Sequence, residues 1–301
     1  MILRKNLIKK FGSNINQNVN LSNYSWFNLG GNAEFFFKPN DKKQLIDFLV
    51  EAKKCDLKTI ILGAGSNTLV RDRGIKGTVI KLGSNFSYTK LIDNNIIEAG
   101  AATLDRKLAN FAKDNSLTNF EFLSCIPGSI GGAVIMNSGC YENDISKILL
   151  SIQVIDKKDF RVKEIKKDDI DFFYRGSNLN ENFIIISAKF KGIISHKDII
   201  EKKQTDFVER KKLSQPSQIK TCGSTFKNID KDKKAWMLIK EAGCQNYREG
   251  DAVISQKHCN FFVNNGKAKS TDIENLIKRV KKKVFSSTGV NLELEIKIIG
   301  E

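Results

Sequence analysis

The feature that most restricts this chain is a glycine-dense apolar run, Pro127-Gly128-Ser129-Ile130-Gly131-Gly132-Ala133-Val134-Ile135-Met136-Asn137-Ser138-Gly139. Glycine inside a regular element costs roughly 0.5–1 kcal/mol relative to alanine, so such a run implies backbone that turns tightly or that another group approaches closely. A second segment of this kind, Gly63-Ala64-Gly65-Ser66-Asn67, follows the apolar stretch Thr59-Ile60-Ile61-Leu62. Both can cradle a diphosphate on backbone amides without a lysine. Neither is decisive alone, because a tight turn between packed strands needs the same residues. The dinucleotide fingerprint G-x-G-x-x-G is not met, since Thr68 stands where its third glycine belongs.

The surroundings of both runs read as mixed helix and strand. Glu34 to Lys38 is predicted as a short strand closed by Pro39. From Asp41 a helix is expected with Leu45, Phe48, Leu49 and Ala52 on one face, followed by a buried strand at Thr59 to Leu62. Strand, helix, strand makes a βαβ unit, and such units place ligand loops at the carboxyl ends of their strands. Between Val79 and Phe190, strands are expected at Ile96 to Ala99, Ser151 to Ile155 and Phe183 to Phe190, and a helix at Leu104 to Lys113 opened by Thr103. A charged linker helix begins near His196, and mixed signals continue from Cys222 to Val263. Near the end, Thr271 with Glu274 reads as a capping box. Ile273, Leu276, Ile277, Val280 and Val284 then recur at helical spacing until Gly289, and a final strand is expected from Leu292 to Ile299.

A chain of 301 residues exceeds what one core usually supports, so two or three domains are expected. Hydrophobic residues at 41% and charged residues at 28% suit an ordinary folded protein. The net charge of +16 would suit a nucleic-acid binder, but the lysines are spread along the chain without a base-reading motif. A solvated basic surface that also attracts anionic nucleotides accounts for them. The six cysteines include no CxxC pair and the histidines are only His196 and His258, so neither a metal site nor a disulfide framework is expected. The segment Met1 to Phe11 lacks an apolar core of the signal-peptide kind, and no stretch reaches the roughly 20 apolar residues of a membrane span. A cytoplasmic location follows as an expectation.

Four segments occur in a telling order: Tyr24-Ser25-Trp26-Phe27-Asn28-Leu29-Gly30-Gly31, Leu62 to Asn67, Glu121 to Gly139, and Cys222-Gly223-Ser224-Thr225-Phe226-Lys227-Asn228. Together they resemble the UDP-N-acetylenolpyruvoylglucosamine reductase family over essentially the whole chain. The resemblance implies an α+β protein: an FAD-binding fold of the vanillyl-alcohol oxidase type in two lobes, followed by an α+β substrate-binding domain. Residues 1–80, with 296–301 returning to them, would form the first lobe, 81–195 the second, and 196–295 the substrate domain. It further implies bound FAD, NADPH as co-substrate, UDP-N-acetylglucosamine enolpyruvate as substrate, a monomer, and no nucleic-acid, membrane or metal partner. Gly63, Gly65, Ser66 and Asn67, with Pro127, Gly128, Ser129, Gly131 and Gly132, would then contact the cofactor.

The same resemblance supplies a catalytic set. Tyr174-Arg175 matches the family's Tyr-Arg motif, Ser224 lies in its Gly-Ser-x-Phe motif, and Glu295 is the second acid of Leu292-Glu293-Leu294-Glu295-Ile296. Hydride addition to an enolpyruvyl double bond leaves negative charge on the carboxylate and adjacent carbon, which a fixed guanidinium such as Arg175 stabilises. A protonated Glu295 would share that task, although a solvent-facing strand acid fits the residue pattern as well. Ser224 would protonate the carbon. It does not resemble a hydrolase nucleophile, because Gly-Ser-Thr-Phe is not G-x-S-x-G. Lys212, Asn228 and Asn260 lie where the family would contact the uridine diphosphate sugar. His258 stays outside the catalytic set, and Arg210 and Lys211 are adequately explained as helix surface charge.

The chain departs from the family pattern at Asn32, where proline is common, at Cys125, usually glycine or alanine, and at Glu142, where glycine is familiar. No room exists after Arg175 for a substrate-covering insertion, so the chain resembles the shorter branch. Two other readings remain at this stage, a different flavin-dependent oxidase or dehydrogenase on the same fold, and a basic nucleic-acid-binding protein.

Overall fold

The computed structural model describes residues 2–230 and 232–301. The chain divides into two compact units. The first comprises the residues up to Gln17, Phe35–Ala64 and Gly77–Lys211; the second comprises Asn18–Glu34, Gly65–Lys76 and Lys212–Glu301.

In the first unit, helix α1 (Ile2–Phe11) precedes α2 (Lys42–Lys54). Asp41 caps α2, its Oδ1 accepting from the Gln44 N–H at 2.7 Å and so satisfying one amide that has no partner within the helix. Leu45, Phe48, Leu49 and Ala52 are buried on one face, as their spacing predicts. Phe37 stacks on Phe48 at 4.0 Å, and Phe11 meets both edge-on at 5.4 and 5.2 Å. Such pairs add about 0.5–1.5 kcal/mol beyond burial. The expected βαβ unit is present, with Asn32–Phe37 and Thr59–Ile61 on either side of Ile75–Ile80 in one sheet, the last two parallel. Its closing strand is less buried than expected. Leu62 is covered, but Ile61 is 37% exposed because it faces a cavity.

The larger sheet of this unit is antiparallel, in the order Val162–Lys166, Leu149–Asp156, Phe183–Lys191, Ile96–Gly100, Thr89–Asp93. Helices α3 (Asp105–Asp114) and α4 (Ile130–Ile135) share its core through Leu108, Ala112, Ile130 and Val134, packed with Ile97, Ile152 and Phe190. Thr103 does not cap α3. Its hydroxyl donates to the Tyr88 carbonyl at 2.8 Å, and Leu104 takes the cap position without a side-chain bond. Helix α5 (Lys197–Ser214) contributes Phe207 to this core and ties to α3 by a Gln204 Nε2 to Ala109 carbonyl bond of 3.0 Å.

The second unit holds α6 (Ala235–Glu241), α7 (Ser270–Thr288) and an antiparallel sheet of Arg248–Glu249, Ala252–Ile254 and Phe262–Asn264. The periodic residues of α7 are all buried, each contributing about 1.5–3 kcal/mol of apolar burial. Gly289 ends the helix at φ 70°, a left-handed conformation that lets its N–H reach the Phe285 carbonyl at 2.8 Å. The start differs from expectation. The helix begins at Ser270, and Glu274 pairs with Arg71 at 2.9 Å instead of closing a capping box with Thr271. The C-terminal strand is also shorter than expected, only Lys297–Ile299, and parallel to Thr68–Val70; Leu294 forms an isolated bridge with Phe226.

Candidate active site

Within the first unit a cavity of about 670 Å³ is lined by both glycine-rich runs, Gly63 and Ala64 from one and Ser129, Gly131 and Gly132 from the other. Gly63 follows the strand Thr59–Ile61, whose carboxyl end opens there. A Cβ on Gly63 would lie 2.9 Å from the Ser129 hydroxyl, so the two runs are close enough that a larger residue there would make that side chain move. The second run is anchored by bonds from the Ile130 N–H to the Thr103 carbonyl and from the Gly131 N–H to the Ala101 carbonyl, both 2.9 Å. Apolar walls come from Leu62, Leu82, Leu104 and Ile135.

Two lysines that sequence reasoning passed over, Lys38 and Lys81, also line the cavity. The Lys81 ammonium donates to the Gly63 carbonyl, and burial, with Lys38 nearby, holds its pKa below the ordinary lysine value. The signal for Lys81 was present, a lone cation ending the apolar run Val79-Ile80 at the carboxyl end of a strand. A cavity within the usual 300–1,000 Å³ range, with apolar walls, glycine backbone and two cations, fits a flat aromatic dinucleotide carrying an anionic diphosphate. The residues present therefore fit FAD.

Arg175 belongs to the same unit. It occupies a two-residue hairpin turn between Phe172–Phe173 and Gly176–Ser177 at φ 59°, a backbone region sparsely used by residues other than glycine. Its guanidinium lies 5.0 Å from the centre of the Tyr174 ring. The hairpin is fastened to the glycine-rich run, because Asn137 Nδ2 donates to the Phe173 carbonyl at 3.3 Å and the Ser177 hydroxyl to the Ile135 carbonyl at 3.0 Å. Glu142, a departure noted in the sequence, follows Tyr141 in another two-residue turn, with φ 64° and 51°. That is the geometry which favours glycine there.

In the second unit, Ser224 follows Gly223, whose φ of 81° gives the motif its turn. Ser224 bridges to Phe261, and the Thr225 N–H donates to the Asn260 carbonyl at 2.7 Å. On the other side the Glu295 N–H donates to the Thr225 carbonyl at 2.9 Å, so Ser224 and Glu295 are brought onto neighbouring segments. Both side chains are half-buried. Asn67 joins them, its Nδ2 donating to the Glu295 carbonyl at 3.0 Å, while the Gly65 carbonyl accepts from the Trp26 N–H. Asn260 is 2% exposed and spends its amide on Phe226, accepting from its N–H at 2.9 Å and donating to its carbonyl at 2.8 Å. Asn228 Oδ1 accepts from the Ala235 N–H where α6 begins, and the Lys212 carbonyl accepts from Lys257 Nζ. Pro127, Gly128 and Ser66 lie within the expected runs, Gly128 packed against the Asp105 carboxyl.

Comparison with known proteins agrees with this arrangement. Residues 33–165 match the FAD binding domain family, and residues 215–299 match the UDP-N-acetylenolpyruvoylglucosamine reductase C-terminal domain. The UDP-N-acetylenolpyruvoylglucosamine reductase of Pelagibacter ubique is 45% identical over 298 residues, spanning 97% of this chain and 98% of that protein. That of Rickettsia akari is 43% identical over 286 residues, 95% of each. The crystal structure of the Thermus caldophilus UDP-N-acetylenolpyruvylglucosamine reductase superposes with a TM-score of 0.82 at 30% identity, covering 94% of this chain and 98% of that one. The FAD-binding fold in two lobes with an α+β companion is thus the fold of this chain as well. Glycine runs on a nucleotide-sized cavity, the Tyr-Arg hairpin beside it and near end-to-end likeness lead to one assignment: the chain belongs to the UDP-N-acetylenolpyruvoylglucosamine reductase family.

Proposed function

We propose that this protein reduces UDP-N-acetylglucosamine enolpyruvate to UDP-N-acetylmuramate with NADPH and bound FAD, a step in peptidoglycan precursor synthesis. It works as a cytoplasmic monomer without a nucleic-acid partner; no helix among the described residues is long and apolar enough to cross a membrane. The observation that carries this reading is the glycine-lined, lysine-flanked cavity whose backbone is fastened to the Arg175 hairpin. In this reading residues 1–80 with 296–301 and residues 81–195 hold the cofactor, and 196–295 bind substrate.

When bound, FAD would supply the hydride for the reduction, with NADPH as its source. The Gly63, Gly65, Ser66 and Asn67 run and the Pro127, Gly128, Ser129, Gly131 and Gly132 run would hold the cofactor, their glycines leaving backbone amides open to a diphosphate. Arg175 stabilises the negative charge that develops on the substrate carboxylate, its Cα placed by the hairpin turn and its guanidinium lying over the Tyr174 ring. Glu295 shares that stabilisation as a hydrogen-bonding carboxyl. The Ser224 hydroxyl delivers the proton to the carbon, because the base it meets is stronger than an alkoxide. Lys212 serves the diphosphate by its charge. Asn228, whose Oδ1 accepts from the Ala235 N–H, would offer its amide nitrogen to uracil or sugar oxygens. Asn260 fixes Phe226, and with it the Ser224 segment, within the nucleotide-binding surface.

Anaerobic stopped-flow spectroscopy tests the assignment. In Arg175→Ala, reduction of the flavin by NADPH is expected to persist, while reoxidation by the enolpyruvyl nucleotide slows by about 10² to 10³. Near-normal reoxidation in that variant would remove Arg175 from the mechanism. Failure of the unaltered, flavin-loaded protein to reoxidise on this substrate would reject the reaction itself.

A further inference from the structure

We propose that Cys125 and Cys140 form an oxidisable dithiol, a modification site that a small hydroperoxide converts into a disulfide within the chain. The proposal stands on the placement of two sulfurs and does not depend on the flavin reading. Cys125 ends the short 3-10 turn Glu121–Cys125, and Cys140 ends the short strand Gly139–Cys140. Their Sγ atoms are 3.1 Å apart, and both face the Phe122 carbonyl, at 3.1 and 3.4 Å. A disulfide bond is about 2.05 Å long, so the sulfurs need to close by only about 1 Å.

The two thiols are not equivalent. The hydrogen bond between the two sulfurs, with the Lys211 ammonium that donates to the Cys125 carbonyl at 2.5 Å and so stands beside that sulfur, holds the Cys125 pKa below the ordinary thiol value despite burial. The same bond and burial push Cys140 upward. Cys125 is therefore the attacking sulfur and Cys140 the resolving one. The Cys125 thiolate attacks one oxygen of hydrogen peroxide, the O–O bond breaks, and the leaving hydroxide takes up the proton that the Cys125 thiol released to solvent and departs as water, giving a sulfenic acid. The Cys140 sulfur then attacks the Cys125 sulfur, the S–O bond breaks, and the hydroxyl leaves with the Cys140 proton as a second water. Two thiols lose two electrons and the peroxide gains them. The new ring would enclose Ser129, Gly131 and Gly132, which line the cavity.

The test treats the flavin-loaded protein with equimolar hydrogen peroxide, traps remaining thiols with N-ethylmaleimide, and digests with trypsin. Asp114 to Lys147 contains both cysteines and no internal lysine or arginine, so it forms one tryptic peptide. It is expected to appear lighter by two hydrogen atoms and free of maleimide, to recover two maleimides after dithiothreitol, and to oxidise on the order of tenfold faster than any peptide holding another cysteine. In Cys140→Ser, dimedone should trap a sulfenic acid on Cys125. Two results overturn the proposal: both cysteines of the unaltered peptide carrying maleimide while another cysteine has been oxidised, or passage to sulfinic acid without the two-hydrogen loss.

Discussion

Asp105 opens α3 and is 1% exposed, yet among the described residues neither of its carboxylate oxygens has a hydrogen-bond partner. A negative charge at a helix start is normally favoured, by about 0.3–1 kcal/mol. Desolvation is the larger effect here and pushes the Asp105 pKa up to about 8. An acid whose pKa is higher folded than unfolded binds more protons in the folded state. Its contribution to stability is full below the ordinary aspartate range, falls from about pH 4 to about pH 8, and is flat beyond. Asp105→Asn removes that titration while keeping the shape. The difference in stability between variant and parent should therefore shift in the variant's favour across this window, by up to about 1.4 kcal/mol for each pH unit, and level off near pH 9. Calorimetry at several pH values decides; a difference that does not change with pH would show that Asp105 is not a buried titrating acid. Gly128 is bound to the same feature, because a Cβ there would come within 2.4 Å of Asp105 Oδ2. Nothing in the sequence around Asp105 announces this, since an acid in the first turn of a helix usually faces water.

At the scale of elements, α7 shows which parts of a helix local sequence determines. Its body follows from the recurrence of Ile273, Leu276, Ile277, Val280 and Val284, and its end from Gly289. Its beginning is set locally by Asp272, which accepts from the Lys269 N–H at 2.8 Å, and also from 198 residues away, where Asp72 accepts from the Ser270 N–H at 2.8 Å, the Thr271 N–H at 2.9 Å and the Thr271 hydroxyl. A cap supplied by another segment leaves no pattern near the helix, which is why Thr271 with Glu274 looked sufficient. Asp72→Ala is expected to cost about 1–2 kcal/mol near neutral pH, since two helix amides lose their acceptor. Partial burial works to raise the Asp72 pKa, but the bonds from Thr271 and Ser270 outweigh it and leave the acid below its ordinary value. The stabilisation is thus complete above the unfolded aspartate pKa and is lost as pH falls through the folded one. Urea titrations of both proteins at pH 7 and near pH 3 should show a gap that narrows in acid, and an equal gap at both would contradict the capping role.

At the scale of the molecule, the fold class and the cavity-forming runs were legible because glycine density marks where backbone must be approached closely, and because four motifs keep their order. Lys38 and Lys81 were not, since a lysine in a chain this basic carries little information until a cavity is seen around it. Nor was the adjacency of Ser224 and Glu295, which rests on an isolated bridge and a single backbone bond to Thr225 instead of a long strand. The cavity lies wholly within the first unit, so a dinucleotide seated there binds folded and not unfolded chain. Ligand present at about 1,000 times its Kd adds about 4 kcal/mol to stability. In a unit of this size each kcal/mol moves the melting temperature by about 2–4 °C. Stripping the flavin should then lower the first unit's transition by roughly 8–16 °C, and added FAD should restore it. Hydrogen exchange should slow on rebinding at the backbone of residues 63–64, 83–85, 129 and 131–132, which line the cavity. Full protein that melts identically with and without FAD, or gains protection only outside these segments, would move the cofactor to another part of the chain.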